Sequence, residues 1–494
     1  MSSTTDREEI PSEPAAPAME GTAASAYGLN DMPPPQKAIP LALQHLLAMF
    51  VGNAAPPLIL ATAIGMATGE VTLMVQLAMV ISGVTTMMQT FGLGPLPIGA
   101  RLPVMQGTSF AFLAVALLIA QEFGIAAVFG GAVIAGAFQV LFGFSLRWIA
   151  PLFPPLVCGI IILVIGVSLM PTAIGYSAGG APAEAIGDYG SLHHYAIAAL
   201  VVAVIVGCTV FAKGFVSVAA VLIGLIVGYI VAAVSGMVTL DALREAAWFQ
   251  VPQPLAFGME FYTGAVLVIV ALALASSVES IGDLTAVART GLGRSPTPKE
   301  LSRGIVADGV GTSLGAMFSA MPNTTFSQNT GIVALTGVVS RFVVGIAGAM
   351  LLVAGLIPKF AAAFNTIPYA VLGGATLVMF SMVAATGLRI LSTEEMNRRN
   401  MLILAVSLGL GIGFSMSPPE VFQQMPQDLA LLLTSGIVPA MFASMILNLI
   451  LPKERSAKHV ELREDGPTGE DIEEAEQVVE TSRPIASVSP SSSG

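Results

Sequence analysis

Met105-Gln106-Gly107-Thr108-Ser109-Phe110 and Pro322-Asn323-Thr324-Thr325-Phe326-Ser327-Gln328-Asn329-Thr330-Gly331 are two polar stretches set in a chain that is otherwise largely apolar. Over 494 residues the hydrophobic fraction is 55% and the charged fraction 10%, where a soluble domain carries about 25% charged residues. That composition cannot coat a water-soluble surface, so most of the chain belongs in a bilayer. There, backbone leaves a helix at membrane depth only if it is buried in protein or lines a cavity. Broken segments in corresponding positions of two halves point to a substrate site between them.

Working outward from these stretches, apolar runs of about 20 residues, long enough to cross the hydrocarbon, fill the chain. Spans are predicted at 39–64, 70–91, 103–119, 122–146, 150–171, 194–212 and 215–236, then at 263–288, 304–320, 324–339, 342–357, 366–387, 401–416 and 428–450. The two polar stretches fall in the third and tenth, which are also among the shortest. The expectation is an all-α polytopic membrane protein of 14 spans in two groups of seven. Because seven is odd, a duplicated second half enters the membrane upside down, the inverted repeat common among secondary transporters. Two matches between the halves share nearly one offset: Thr108-Ser109-Phe110 with Thr324-Thr325-Phe326, and Pro154 and Gly159 with Pro368 and Gly373.

The formal net charge of −11 sits in the ends, which hold 16 of the 31 acids; between Lys37 and Leu451, 14 Lys and Arg face 15 acids. Residues 1–36 and 452–494, rich in Ser, Pro, Glu and Ala, read as disordered tails. The acidic start lacks a basic n-region, so no cleavable signal peptide is expected. Lys and Arg cluster at Arg147, Lys213, 289–303, Arg341 and 389–399, all on the N-terminal side of the membrane. Loops 173–193 and 417–427 have none, and 237–262 has only Arg244. Positive loops stay cytoplasmic, which puts both termini in the cytoplasm. Cys158 and Cys208 lie in apolar runs and read as packing residues, with no metal site or cofactor implied. Nothing basic and clustered suggests nucleic acid.

Charge inside an apolar span is expensive, about 2.5 to 3.5 kcal/mol for an acid at a helix centre, and marks function by default. Glu279 stands in Ala275-Ser276-Ser277-Val278-Glu279-Ser280-Ile281-Gly282-Asp283, and Asp283 lies one turn later on the same face. Two neighbouring carboxylates suit reversible proton binding. Asp308 on the ninth span either pairs with Arg303 or joins that relay. His45, after Gln44 on the first span, can offer a ring nitrogen to a carboxylate or simply be a satisfied core histidine. Gln328 and Asn329 carry both donors and acceptors, able to match the edge of a planar heterocycle without adding charge. Phe110 and Phe326 can stack on its faces. Gly311-Thr312-Ser313-Leu314-Gly315 matches a hydrolase nucleophile pattern, but that pattern needs a strand-turn-helix elbow; within a helical span it reads as small-residue packing.

The run Gln328-Asn329-Thr330-Gly331-Ile332-Val333-Ala334-Leu335-Thr336-Gly337 resembles the signature of the nucleobase-ascorbate transporter family, also called the second nucleobase:cation symporter family. Gln44-His45, Gly107-Thr108-Ser109-Phe110 and Glu279 to Asp283 resemble its further motifs, and the resemblance runs from about 39 to 450. It implies two inverted seven-span repeats, 39–236 and 263–450. Spans 1–4 and 8–11 would form a core, spans 5–7 and 12–14 a gate, and the molecule a homodimer in the cell membrane. It implies that Glu279 and Gln328 hold a nucleobase, that Phe326, Ser327, Ser109 and Phe110 line its pocket, and that His45, Asp283, Asp308 and Asn329 shape the site or couple protons. Gln at 328 and Gly at 337 look like the family's xanthine and uric acid permeases rather than its uracil carriers, while Thr330 departs from the Asn frequent in that subgroup and leaves xanthine versus urate open. The implied function is proton-coupled import of a purine, by a protein that is not an enzyme. Its rivals are a uracil or other nucleobase permease, and a passive anion channel or exchanger on the same plan; the latter would be expected to place a cation where this chain has carboxylates.

Overall fold

The computed structural model describes residues 27–149 and 154–452. In the first half, α1 (Pro35–Ala63) and α2 (Thr68–Phe91) lead to a three-residue strand, β1 (Gln106–Thr108). A 3-10 turn then opens α3 (Leu113–Phe123), which stops at Gly124, φ 87°. α4 (Ile125–Ile149), α5 (Pro155–Ser177), α6 (Leu192–Phe211) and α7 (Ala220–Val234) follow. The second half repeats the series: α8 (Thr263–Leu292), α9 (Pro298–Met317), β2 (Asn323–Thr325), α10 (Ser327–Thr336), α11 (Arg341–Gly355), α12 (Tyr369–Leu391), α13 (Arg398–Ser415) and α14 (Ile437–Ile450).

The packing carries the duplication. α2 lies along α11 and α9 along α4; α1 meets α11 and α8 meets α4; α6 packs on α7 and α12, α13 on α14 and α5; α5 and α12 pack on each other. Exchanging the halves turns each contact into another of the set. β1 and β2 pair antiparallel, with Gly107 opposite Thr324, as a two-fold between inverted halves requires. The crossings of α2 with α11 and of α9 with α4 are twins in detail. A Cβ on Gly83 would stand 2.6 Å from Gly348 O, and one on Gly309 would stand 2.6 Å from Gly136 O. Backbones approach this closely only through glycine, the usual way to join helices in lipid, where no hydrophobic force draws them together. α5 and α12 both begin after a proline, Pro154 and Pro368, whose extended conformation sets the N-terminus.

Among the described residues, seven helices are long and apolar enough to cross a membrane, or nine if two sharply bent pairs each count as one. The bent pairs are α11 with Pro358–Asn365, at 79°, and Gln427–Thr434 with α14, at 80°. The fourteenth span, expected as one helix over 428–450, is therefore broken, and Gly436 at φ 65° supplies the left-handed residue at the break. The tenth, expected over 324–339, is a strand followed by a ten-residue helix. Short helices Gly180–Ala185 and Asp241–Glu245 interrupt two loops.

The expected disordered tail 1–36 is too long. Residues 1–26 lie outside the described residues, as do 453–494, but Tyr27 to Asp31 dock on the turn before α11. Val339 N donates to Tyr27 O at 3.0 Å, Arg341 N to Leu29 O at 3.2 Å and Ser340 Oγ to Asp31 O at 2.5 Å. The acceptors are all backbone carbonyls of the segment 27–31, which composition does not reveal.

Candidate functional site

The strand pair organises a buried polar cluster. Gln106 Nε2 donates to Asp308 Oδ1 at 2.5 Å, while its Oε1 accepts from Asn323 Nδ2 at 2.5 Å; the same amide of Asn323 also reaches Thr85 Oγ1, 3.2 Å. Asp308 is fully buried, and Gln106 joins its carboxylate on α9 to the opposite strand. On α8, Asp283 accepts from Thr325 Oγ1 at 2.7 Å, and Ser276 and Ser280 meet Thr324 at 3.1 and 3.3 Å. From α1, Asn53 Oδ1 accepts Thr108 N (2.8 Å), Thr108 Oγ1 (3.1 Å) and Ser82 Oγ (2.7 Å). Two three-residue pieces of backbone are thereby held at depth by side chains from four long helices, as unpaired groups in hydrocarbon must be.

Beside this cluster opens a cavity of about 470 Å³, part of it open to the outside. Its polar wall is Glu279, Thr324, Thr325, Ser327 and Gln328, with Thr108 across the strand pair. Its apolar walls are Phe110 and Phe326, and Ile162 and Ile165 of α5 with Val383 of α12. Apolar walls with a few convergent polar groups are the mix found in small-molecule sites. Phe110 is held edge-on by Phe380, centroids 5.6 Å apart at 77°. Phe326 lies over Gly52 and Gly107, where a Cβ on either would strike its ring. Glu279 receives no hydrogen bond from any described residue, and neither Ser327 nor Gln328 is engaged. These polar groups are presented to the cavity, not spent on the fold.

The sequence candidates thus divide. Glu279, Gln328, Ser327, Phe326 and Phe110 line the cavity. Asp283 and Asp308 lie behind it, each bound to a strand residue or its neighbour. His45 and Asn329 pair away from it, with Asn329 Nδ2 3.0 Å from His45 Nδ1 and 3.1 Å from His45 O. Arg303 makes no ion pair with Asp308. Ser109, expected on the wall, is 1% exposed and behind it; its N donates to Pro322 O, 3.0 Å, and Thr108 takes the lining place. Alternation alone does not sort these side chains, since the neighbours Thr324 and Thr325 both line the cavity; Ser109 lies just past the end of β1, where its backbone turns to Pro322.

Gln106, Asn323, Thr325 and Asn53 were not singled out, although three of them stand in the two opening stretches. Neutral amides and hydroxyls resemble ordinary interhelical glue until a carboxylate partner is seen. The hydrolase-like pattern is resolved as packing. Ser313 sits within α9 and donates to Val133 O of α4 at 3.0 Å, and a Cβ on Gly311 would meet Thr85.

A family model described as "Permease family" matches residues 36–420. The xanthine permease of Bacillus subtilis (strain 168) is 37% identical over 442 residues, covering 87% of this chain and 97% of the relative. The uric acid permease PucJ of the same organism is 37% identical over 434 residues, covering 86% and 96%. Among solved structures, the transmembrane domain of the cyanobacterial bicarbonate transporter BicA superposes with a TM-score of 0.53 at 17% identity, covering 83% of this chain and 97% of that one. That last likeness is one of fold.

Proposed function

The chain belongs to this permease family, the nucleobase-ascorbate transporters, and from that premise we propose that it imports a purine nucleobase, xanthine or uric acid, across the cell membrane by proton symport. The observation that carries the reading is that an uncommitted carboxylate, Glu279, and an uncommitted amide, Gln328, line one cavity together with Phe110 and Phe326. A planar purine would stack between aromatic faces while its N–H and C=O groups meet a carboxylate on one edge and an amide on the other. Protonated, Glu279 donates to the base; ionised, it only accepts, so proton occupancy and base binding are linked at one atom. Asp283 and Asp308, held by Thr325 and Gln106, position the strand pair and stand as relay groups behind it.

The cavity lies between α5 and α12 on one side and the strand-bearing elements on the other, which suits a core of spans 1–4 and 8–11 sliding as an elevator against a gate of spans 5–7 and 12–14. Both termini face the cytoplasm and the protein works as a homodimer in this reading. An anion channel or exchanger is disfavoured because the lining holds a carboxylate and no Lys or Arg.

Uptake of labelled xanthine into proteoliposomes tests the proposal. An imposed inward proton gradient should drive accumulation of unaltered xanthine, with urate competing and uracil not. Accumulation indifferent to the gradient would remove the symport, and stronger competition by uracil would reassign the substrate. Gln328→Glu should alter the ranking of competing bases about tenfold, the scale of one recognition hydrogen bond; an unchanged ranking would remove Gln328 from substrate reading.

A further inference from the structure

Away from the substrate cavity, a second cleft of about 710 Å³, open to the outside, is lined by Arg101, Lys299, Arg303 and Arg341, together with Leu29, Asn30, Ala100, Thr297 and Glu300. The four cations come from three distant parts of the chain: the loop after α2, the first turns of α9 and the first residue of α11. The docked segment 27–31 closes one wall. We propose that this cleft binds a phosphate group.

Its charge is unbalanced. The one acid in the lining, Glu300, is already held by Arg294 through two bonds of 2.6 and 2.8 Å and accepts from Thr297 N at 2.7 Å. No ion pair joins Arg101, Lys299, Arg303 or Arg341 to any described acid. Gathering four like charges in one recess is unfavourable unless an anion completes it. Arg341 Nε has no hydrogen-bond partner among the described residues, so that nitrogen is not spent on the fold.

The backbone is also bent to build the place. Arg101 adopts φ 60°, a left-handed conformation that non-glycine residues seldom hold without being over-determined. It is fixed by Arg101 N to Gln89 O at 2.9 Å and Arg101 Nη2 to Gly94 O at 3.0 Å, and Gly99 N to Arg303 O at 3.0 Å ties its loop to α9. Guanidinium forks match phosphate oxygens better than lone ammonium groups do, and three of the four cations are arginines. The loop that carries Arg101 also exposes Leu93 and Leu96, at 43% and 54%, so an acyl chain could lie beside a bound headgroup. An anionic lipid and a soluble phosphate offer the same chemistry.

The test uses the full chain in neutral detergent, read by its thermal unfolding midpoint. The midpoint is followed with short-chain phosphatidylglycerol, short-chain phosphatidylcholine and inorganic phosphate. Wild type should rise by several degrees with phosphatidylglycerol and not with phosphatidylcholine. The rise should be lost in Lys299→Gln/Arg303→Gln and in Arg341→Gln, but kept in Lys213→Gln/Arg389→Gln, which removes two cations outside the cleft. A rise with phosphatidylglycerol alone assigns a lipid headgroup; an equal rise with inorganic phosphate assigns a soluble ligand. No rise in wild type with either, or an undiminished rise in the cleft variants, overturns the proposal. Should those variants fail to fold, acylation of Lys299 in wild type is followed by peptide mass spectrometry: the effective anion should protect Lys299 and leave Lys213 reactive, and equal labelling of both with and without it is also an overturning result.

Discussion

Side by side, α1 with β1 and α8 with β2 are one device built twice: a long helix, a three-residue strand, and a short helix leading away from it. The first copy brings neutral groups to the strand pair, Asn53 and Gln106, and its short helix begins in apolar Phe110-Ala111-Phe112. The second brings Glu279 and Asp283, with Asp308 on the next helix, and its short helix begins in polar Ser327-Gln328-Asn329. Within one duplicated plan, one half has become scaffold and wall while the other carries the carboxylates. Symmetry of backbone therefore says nothing about symmetry of chemistry, and the two halves should fail differently when damaged.

The sharpest way to break this contrast is Glu279→Gln. It keeps the volume and removes only the ionisable group, so gradient-driven xanthine uptake should fall by about a hundredfold, the lower range for loss of a proton-transferring group. The unfolding midpoint should hardly move, because Glu279 is bonded to nothing in the fold. Retained accumulation would end the assignment of chemistry to the second half. In the first half, Asn53→Leu should do the reverse. It leaves Thr108 N and two hydroxyls without their acceptor, a destabilisation of about 1 to 3 kcal/mol, read as a lower midpoint. A midpoint equal to wild type would mean that the first half is not the scaffold.

Glycines offer a finer comparison. A Cβ on Gly107 would meet Phe326, Met49 and Asn53, so Gly107→Ala should cost about 1 to 3 kcal/mol through overpacking. Gly331, in α10, has open space around it, and Gly331→Ala should gain up to about 1 kcal/mol from helix propensity. Paired unfolding curves decide, and equal shifts would contradict the packing described.

The smallest effect lies at the starts of the twin helices α2 and α9. Glu70 accepts from Ala67 N at 3.0 Å and Glu300 from Thr297 N at 2.7 Å, but only Glu300 also pairs with an arginine. The Arg294 guanidinium holds the Glu300 carboxyl down at about 2. Its stabilisation is therefore present above the ordinary carboxylate value of about 4.5 and lost as pH falls toward 2. Exposure to solvent keeps it under about 1 kcal/mol. Glu300→Gln should lower the midpoint slightly at pH 7 and not at pH 2, and Glu70→Gln should lower it less; a difference that grows with acid would refute the pairing.

The broken third and tenth segments were legible because polar residues at membrane depth have few structural excuses. Glu279, Asp283 and Asp308 were legible for the same reason, since charge there demands an explanation. What stayed hidden is relational. That Gln106 rather than Arg303 answers Asp308 depends on a strand register between residues 215 to 219 apart. That Thr108 rather than Ser109 faces the cavity depends on how the chain leaves β1. The bends in the eleventh and fourteenth segments and the docking of Tyr27 to Asp31 rest on backbone geometry, to which composition is blind.

The strand pair also bears on biogenesis. Gln106 leaves the ribosome long before Asn323 and Asp308, so β1 must wait in the nascent first half without its partner strand. The acid of α9 then enters a membrane in which its amide is already present, which offsets the penalty of inserting a carboxylate. The cavity cannot exist on a half-made chain, because its lining runs from Thr108 to Val383.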